Sequence, residues 1–442
     1  MLSLLLACAA GPDPSDPKSG REVTVSLSAA MPTVAHVVWT SPAPSIGRVT
    51  GAGFADTPQE ATPTTAHDVR VTGLHALSDY DLEVVEDDVV VAAATISTGE
   101  LDPANGRPLG VRSPLAGLGS VDHILFSAVD FGDAGRLGRF STGTVSIVDR
   151  DGVAVWGVAM GDRFPMFPVW VPGVGVRALS TDFNDYGNST LDTWDLDGNL
   201  ASVPLPGAHH DVAWHADGTF AYTLTESRDI DGELVAADIL VEVAPDGTST
   251  RVWDAFVSLP GAITNNGGTN LADGAIDWTH ANGISWLPDE DAYLLSLFGP
   301  HQIVRIDRAT GTTTWVLGGD TGEFALASGA AFGAQHCPLA TAGGVMLFDN
   351  AASSSRLLAL AVDEAGRTAS LAWEWESPDP PGWTPLGGFI EPVADEGMLV
   401  SWGLVPALYA LDADRQLVGE FRQDDPVFVG SLGAVRGVAG LY

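Results

Sequence analysis

The chain holds 442 residues, more than most single cores accommodate, so two or more domains or a repeat array are expected. Its 57 Asp+Glu against 20 Lys+Arg give a formal charge of −37, which argues against nucleic acid or an anionic membrane surface as a partner. Apolar residues at 45%, with 51 Gly and 28 Pro, fit an all-β chain of many short strands joined by tight turns.

The chain opens with "MLSLLLAC", and its Leu5-Leu6-Ala7-Cys8 resembles a bacterial lipoprotein cleavage box, although the segment is short and lacks a charged start. Cys8 is the lipidation residue this implies, with "AAGPDPSDPKSG" as a flexible tether, so residues 1–20 are read as a signal remnant and tether. The expected location is periplasmic or cell-surface. No later run of 18 or more apolar residues exists, so the expected membrane contact is the lipid anchor alone. The second cysteine, Cys337, leaves no disulfide framework and reads as a small buried hydrophobe.

Residues 21–100 form the first unit. "REVTVSLSAA" and "AHVVWTS" alternate apolar and polar positions as half-buried strands do, and "HDVRVTGLHALSDYDLEVV" and "VVVAAATIST" follow. Gly73-Leu74, then Tyr80 and "DLEVV", resemble the tyrosine-corner region of fibronectin type III and immunoglobulin-like sandwiches, with Trp39 as the core aromatic. "LDPANGRP" reads as a linker.

From about Leu109 the texture becomes a repeat of roughly 40 residues. Each unit carries a strand, a turn such as "HADGT", "LPDEDA" or "TAGGV", a second strand, a loop, then an Asp-Gly turn and a strand ending near Trp. Units begin near Leu109, Phe164, His209, His280, Gln335 and Leu386, which predicts a six-bladed β-propeller over 105–442. The Asp-Gly turns lack full calcium-loop spacing, and hairpins need such residues in any case.

The first strand of a propeller blade lines the central channel. Three successive units place histidines at its start: His209 and His210 in "AHHDVAW", His280 with Asn282 in "THANG", and His336 in "AQHCP". The repeat predicts that they face one another. His36, His67, His75, His123, His215 and His301 fall outside that register and read as structural or surface residues. Three imidazoles suit a zinc or copper site that activates water. They equally suit group transfer through a His nucleophile, with neighbouring donors binding charged oxygens and protonating the leaving group.

"DWTHANGISW…LLSL…IVRIDRATGTTTWVLGG", with "HHDV" before it and "FGAQHCP…GVMLFDN" after it, resembles the bacterial arylsulfotransferases. The resemblance spans roughly Leu109 to Tyr442. It implies an extracytoplasmic six-bladed propeller that moves a sulfuryl group from an aryl sulfate to a phenolic acceptor through a sulfated histidine, without a nucleotide donor or other cofactor. It implies His336 as nucleophile and His280 as acid–base partner. His210 and Asn282 would surround the sulfate, with His209 replacing His210 if the register is off by one. The family pattern carries an Arg where this chain has Phe298; Arg356, one unit on, is the substitute cation expected at the mouth. Phe298 itself is expected to stack on an aromatic ring. Its presence keeps open a second reading, a ligand-binding or scaffold propeller that lost the reaction. A metal-dependent hydrolase built on His210, His280 and His336 is the third.

Overall fold

Period-two alternation builds the N-terminal part. A computed structural model of the chain describes residues 21–442 except 103–105, 131–141, 183–185, 260–262, 264–270, 272, 352–353, 379–381, 424–429 and 439; residues 1–20, with Cys8, lie outside it. Strands Val23–Leu27, Ala35–Ser45 and Thr64–Val71 form one three-stranded sheet, and Gly47–Gly51, Asp79–Glu86 and Val89–Ser97 form another. Their apolar faces share a core containing Trp39, Tyr80 and Leu82. The Tyr80 hydroxyl accepts the backbone N–H of His75 at 2.7 Å, and Trp39 donates to Glu86 and stacks on His67 at 4.4 Å.

The rest of the described chain forms six sheets of four or five strands, antiparallel apart from two short parallel pairings made by Ile276–Asp277 and Ala325–Leu326. The innermost strands are Phe164–Val171 (β1), Ala208–Trp214 (β2), Ala281–Leu287 (β3), His336–Thr341 (β4), Phe389–Pro392 (β5) and Gly430–Val438 (β6). Each neighbours the next, and β6 returns to β1, so the inner strands form a closed circuit. This arrangement is all-β and propeller-like.

Two long-range closures differ from the simple repeat. The unit expected to begin near Leu109 does not do so: Gly110–Ser113 is instead the outer edge of the last sheet, paired with Leu417–Arg422. The first sheet takes its three outer strands from His123–Ala159, and its innermost is the C-terminal β6, paired with His123–Asp130. Both ends of the array are thereby hydrogen-bonded to the opposite end of the chain, which removes two free sheet edges.

Short additions then carry chemistry inward. Ile276–Asp277 pairs in parallel with Glu233–Val243, and the Trp278 N–H donates to Ala236. This stitch fixes Asp277 just before β3. The N-terminal sheets dock on the larger body through Met31 and Val34, which join its main core, and through His36 and Arg70 on Asp197.

Candidate active site

The inner strands carry bulges at corresponding places. Pairing skips between Met166 and Val169 on β1, His209 and Val212 on β2, Ala281 and Gly283 on β3, and His336 and Leu339 on β4. Phe167, His210 and Cys337 hold positive φ inside these gaps, at +47°, +60° and +50°, and His280 holds +49° one residue before β3. A non-glycine residue in this region costs about 1–3 kcal/mol, and such strain persists where surrounding structure imposes it. His210 thus lies inside the β2 gap, after the paired His209, whereas His280 directly precedes the paired Ala281. His336 stands one place earlier in its bulge, beside Cys337, and corresponds to His209.

The offset still brings the rings together. The His210 and His280 centroids are 4.7 Å apart, and His209 and His210 are 5.0 Å apart. Phe298 bridges the two sides, 5.3 Å from His280 and 6.0 Å from His336. It occupies the place that the sequence pattern reserves for Arg.

Each imidazole has a distinct partner. His336 Nδ1 donates to Asn350 Oδ1 at 2.8 Å and lies 3.1 Å from the Ala334 carbonyl. Its Nε2 accepts the Gly387 N–H at 3.2 Å. The ring is therefore the Nδ1–H tautomer, with its lone pair on Nε2. Burial holds its pKa down at about 4, and the neighbouring His280 charge adds to this against the Asn350 hydrogen bond. Asn350 is itself fixed by donating to the Thr384 and Gly387 carbonyls.

His280 has the opposite bias. Its Nδ1 meets Asp277 Oδ2 at 2.6 Å, and its side chain is 26% exposed. Burial works against its cation, but the Asp277 hydrogen bond and charge, with Asp238 further away, raise its pKa overall. His210 is held well below the usual range by burial and then by the charges of His280, His209 and His336. Its Nδ1 contacts His209 Nδ1 at 2.7 Å, while His209 Nε2 meets the buried Asp238 at 2.7 Å. Thr279 and the Ala281 N–H also donate to Asp238. Tyr186 stacks on His209 at 5.0 Å. One neutral ring whose Nε2 lone pair faces the Gly387 N–H, beside one ring biased toward the cation, suits nucleophilic attack with acid–base assistance once that contact is released.

Two expected residues do other work. Arg356 does not reach the cluster: its guanidinium binds Asp349 at 2.9 Å, Glu374 at 2.6 Å and the Ala331 carbonyl at 2.7 Å. The cross-strand pairing of Asp349 with Arg356 fixes that geometry. Asn282 is fully buried, and its Nδ2 donates to the Gln335 carbonyl at 2.8 Å, tying β3 to the segment carrying His336. Cys337 is a tie as well, since its Sγ contacts the Ile390 backbone and burial pushes its thiol up to about 12. Among the described residues no group of three or more His, Cys, Asp or Glu is placed to hold a metal ion.

No sequence motif marks Asp277 and Asp238 as charge partners or Asn350 as the tautomer lock. The "FDN" ending of the second strand is the nearest signal for Asn350, because His336 pairs with Phe348 two residues away. His301, read as structural, is so: its Nδ1 accepts the N–H of Ala334, which also holds positive φ.

A propeller-like all-β body with a polarised histidine cluster at one end of its inner strands defines the class. The chain belongs to the arylsulfotransferase (ASST) family, whose sequence profile matches residues 170–423, more than half of its length. Comparison with curated proteins gave no match. Among solved structures, a protein of unknown function from Bacteroides caccae aligns at 12% identity and a TM-score of 0.44, covering 71% of this chain and 98% of its own. A nidogen/laminin complex structure aligns at 11% identity and 0.44, covering 72% and 99%. Streptogramin B lyase aligns at 12% and 0.38, covering 72% and 89%. These likenesses are too distant to bear on function.

Proposed function

We propose that this protein is an aryl-sulfate:phenol sulfotransferase acting through a sulfohistidine at His336. Residues 105–442 form the six-bladed propeller that houses the reaction, and residues 21–100 a fibronectin III-like sandwich docked against it. Cys8 as a lipid anchor, with the tether behind it, supports a periplasmic or cell-surface location.

The observation that carries the mechanism is the Asn350–His336 hydrogen bond, which leaves the His336 lone pair on Nε2. In the first half-reaction Nε2 gives up its 3.2 Å contact with the Gly387 N–H and attacks sulfur; the N–S bond forms and the ester S–O bond breaks. The departing phenolate takes a proton from His280, whose cation is sustained by Asp277. In the second half-reaction neutral His280 removes the proton of the acceptor phenol. The acceptor oxygen attacks sulfur, the N–S bond breaks, and His336 returns to neutral. His210 and the charged His280 bind the sulfuryl oxygens, with His209 steering His210. Phe298 lies against the aryl ring of the substrate. The positive charge that the family pattern assigns to Arg comes from His280.

Incubation with p-nitrophenyl sulfate and phenol should release nitrophenol and form phenyl sulfate, and His336→Ala should abolish both. Equal release by His336→Ala refutes the assignment. Phe298 supports the second reading, a binding propeller without turnover; tight aryl sulfate binding with no nitrophenol release from the unmodified protein would establish it.

A further inference from the structure

A cavity of about 660 Å³ lies beyond the bulges and is lined by residues of all six inner strands and the turns that follow them. None of His209, His210, His280, Phe298 and His336 lines it. Three of its walls are indoles, Trp170, Trp214 and Trp286, each half-buried in a body whose other inner apolar residues are largely buried.

Two arginines and two carboxylates line this cavity, and only one pair of them is an ion pair. Arg436 pairs with Glu391 and lies 4.5 Å over Phe389. Asp211 accepts the Val212 and Ile284 N–H groups at 2.7 and 3.0 Å. His215 Nε2 meets the Tyr293 hydroxyl at 2.7 Å, and its ring stacks on Trp286 at 4.0 Å. Arg177 is the lining cation without an ion pair: it lies 5.2 Å over the Trp214 ring, and no carboxylate among the described residues pairs with it. In a chain of net charge −37, with most other arginines ion-paired, a guanidinium on an indole wall without a carboxylate is a ready anion receptor.

We propose that this cavity is a second ligand site, taking a planar aromatic anion whose charged group meets Arg177 and whose ring lies among Trp170, Trp214 and Trp286. An aryl carboxylate and an aryl sulfate share this chemistry. The site stands independently of sulfuryl transfer at His336.

Titration calorimetry of the full chain with 2-naphthoate tests it, with 2-naphthamide as the neutral isostere. The unmodified protein should bind 2-naphthoate, and Arg177→Met should weaken it at least tenfold, about 1.4 kcal/mol. Arg177→Lys should retain part of the affinity, and 2-naphthamide should bind Arg177→Met and unmodified protein equally, which also reports folding. A His280→Ala/His336→Ala double variant should bind 2-naphthoate unchanged. No binding by the unmodified protein, an affinity indifferent to Arg177→Met, or loss in the double histidine variant each overturns the proposal. Competition by 2-naphthyl sulfate in the double variant distinguishes the two anion types: displacement extends the site to sulfates, and its absence restricts it to carboxylates.

Discussion

Asp277→Asn isolates the charge that drives the proposed chemistry. Asp277 Oδ2 lies 2.6 Å from His280 Nδ1, and the Asp277 side chain is 7% exposed. Opposite charges about 4 Å apart at an effective dielectric of 20 interact by about 4 kcal/mol. Burial of His280 subtracts from this, so the net rise is smaller. Asparagine keeps the shape and removes the charge, and burial then carries His280 below its ordinary 6.5. At neutral pH the variant enters the cycle without its general acid, a loss of about 10²–10³ in rate for a basic leaving group. Two esters expose the difference. Phenyl sulfate, with a strongly basic leaving phenolate, should lose the full factor in kcat/KM, and p-nitrophenyl sulfate should lose much less. The alkaline limb of the kcat/KM profile should also move to lower pH. An equal loss with both esters and an unmoved limb would refute the assignment of His280 as proton donor.

Asn350→Ala frees His336 Nδ1 and unties the Thr384 and Gly387 carbonyls; kcat should fall about 10- to 100-fold with circular dichroism unchanged, corresponding to a lost buried hydrogen bond of about 1–3 kcal/mol. The His336 pKa of about 4 sets an acid sensitivity. Between pH 6.5 and 4 the unfolded chain binds the proton that folded His336 refuses, so stability falls as pH drops through that window. The loss reaches about 3 kcal/mol below pH 4, and urea melts across the range should show a shallower acid slope in His336→Gln. Phe298→Arg places a second cation beside His280, 5.3 Å from the present ring. It should raise kcat/KM for p-nitrophenyl sulfate at least tenfold while moving the alkaline limb to lower pH, both read from nitrophenol release; an unchanged rate shows that the site already has the charge it needs.

The local elements were legible in the chain's own pattern. Period-two alternation and Asp-Gly turns are short-range properties, so the strands and most unit starts could be read directly. The register of "HHDV", "THANG" and "QHC" gave the histidine cluster, because repeated units present equivalent positions to a common axis. The family relation was legible for the same reason, since it rests on the order and spacing of those motifs. What the tertiary structure decided was everything that depends on pairing distant segments. Gly110–Ser113 joins the last sheet and Gly430–Val438 the first, a choice made by closing sheet edges rather than by either segment's own pattern. A bulge shifts the register by one residue without leaving a sequence mark, so His336 corresponds to His209 and not to His210. Arg356 followed its cross-strand carboxylate instead of the mouth. The opposite biases of His280 and His336 likewise come from partners that folding supplies. Asp277 is held on a short parallel stitch, and Asn350 lies at the end of the neighbouring strand. A imidazole's chemistry is set by what lies within a few ångströms of it, and only the packed chain fixes those neighbours.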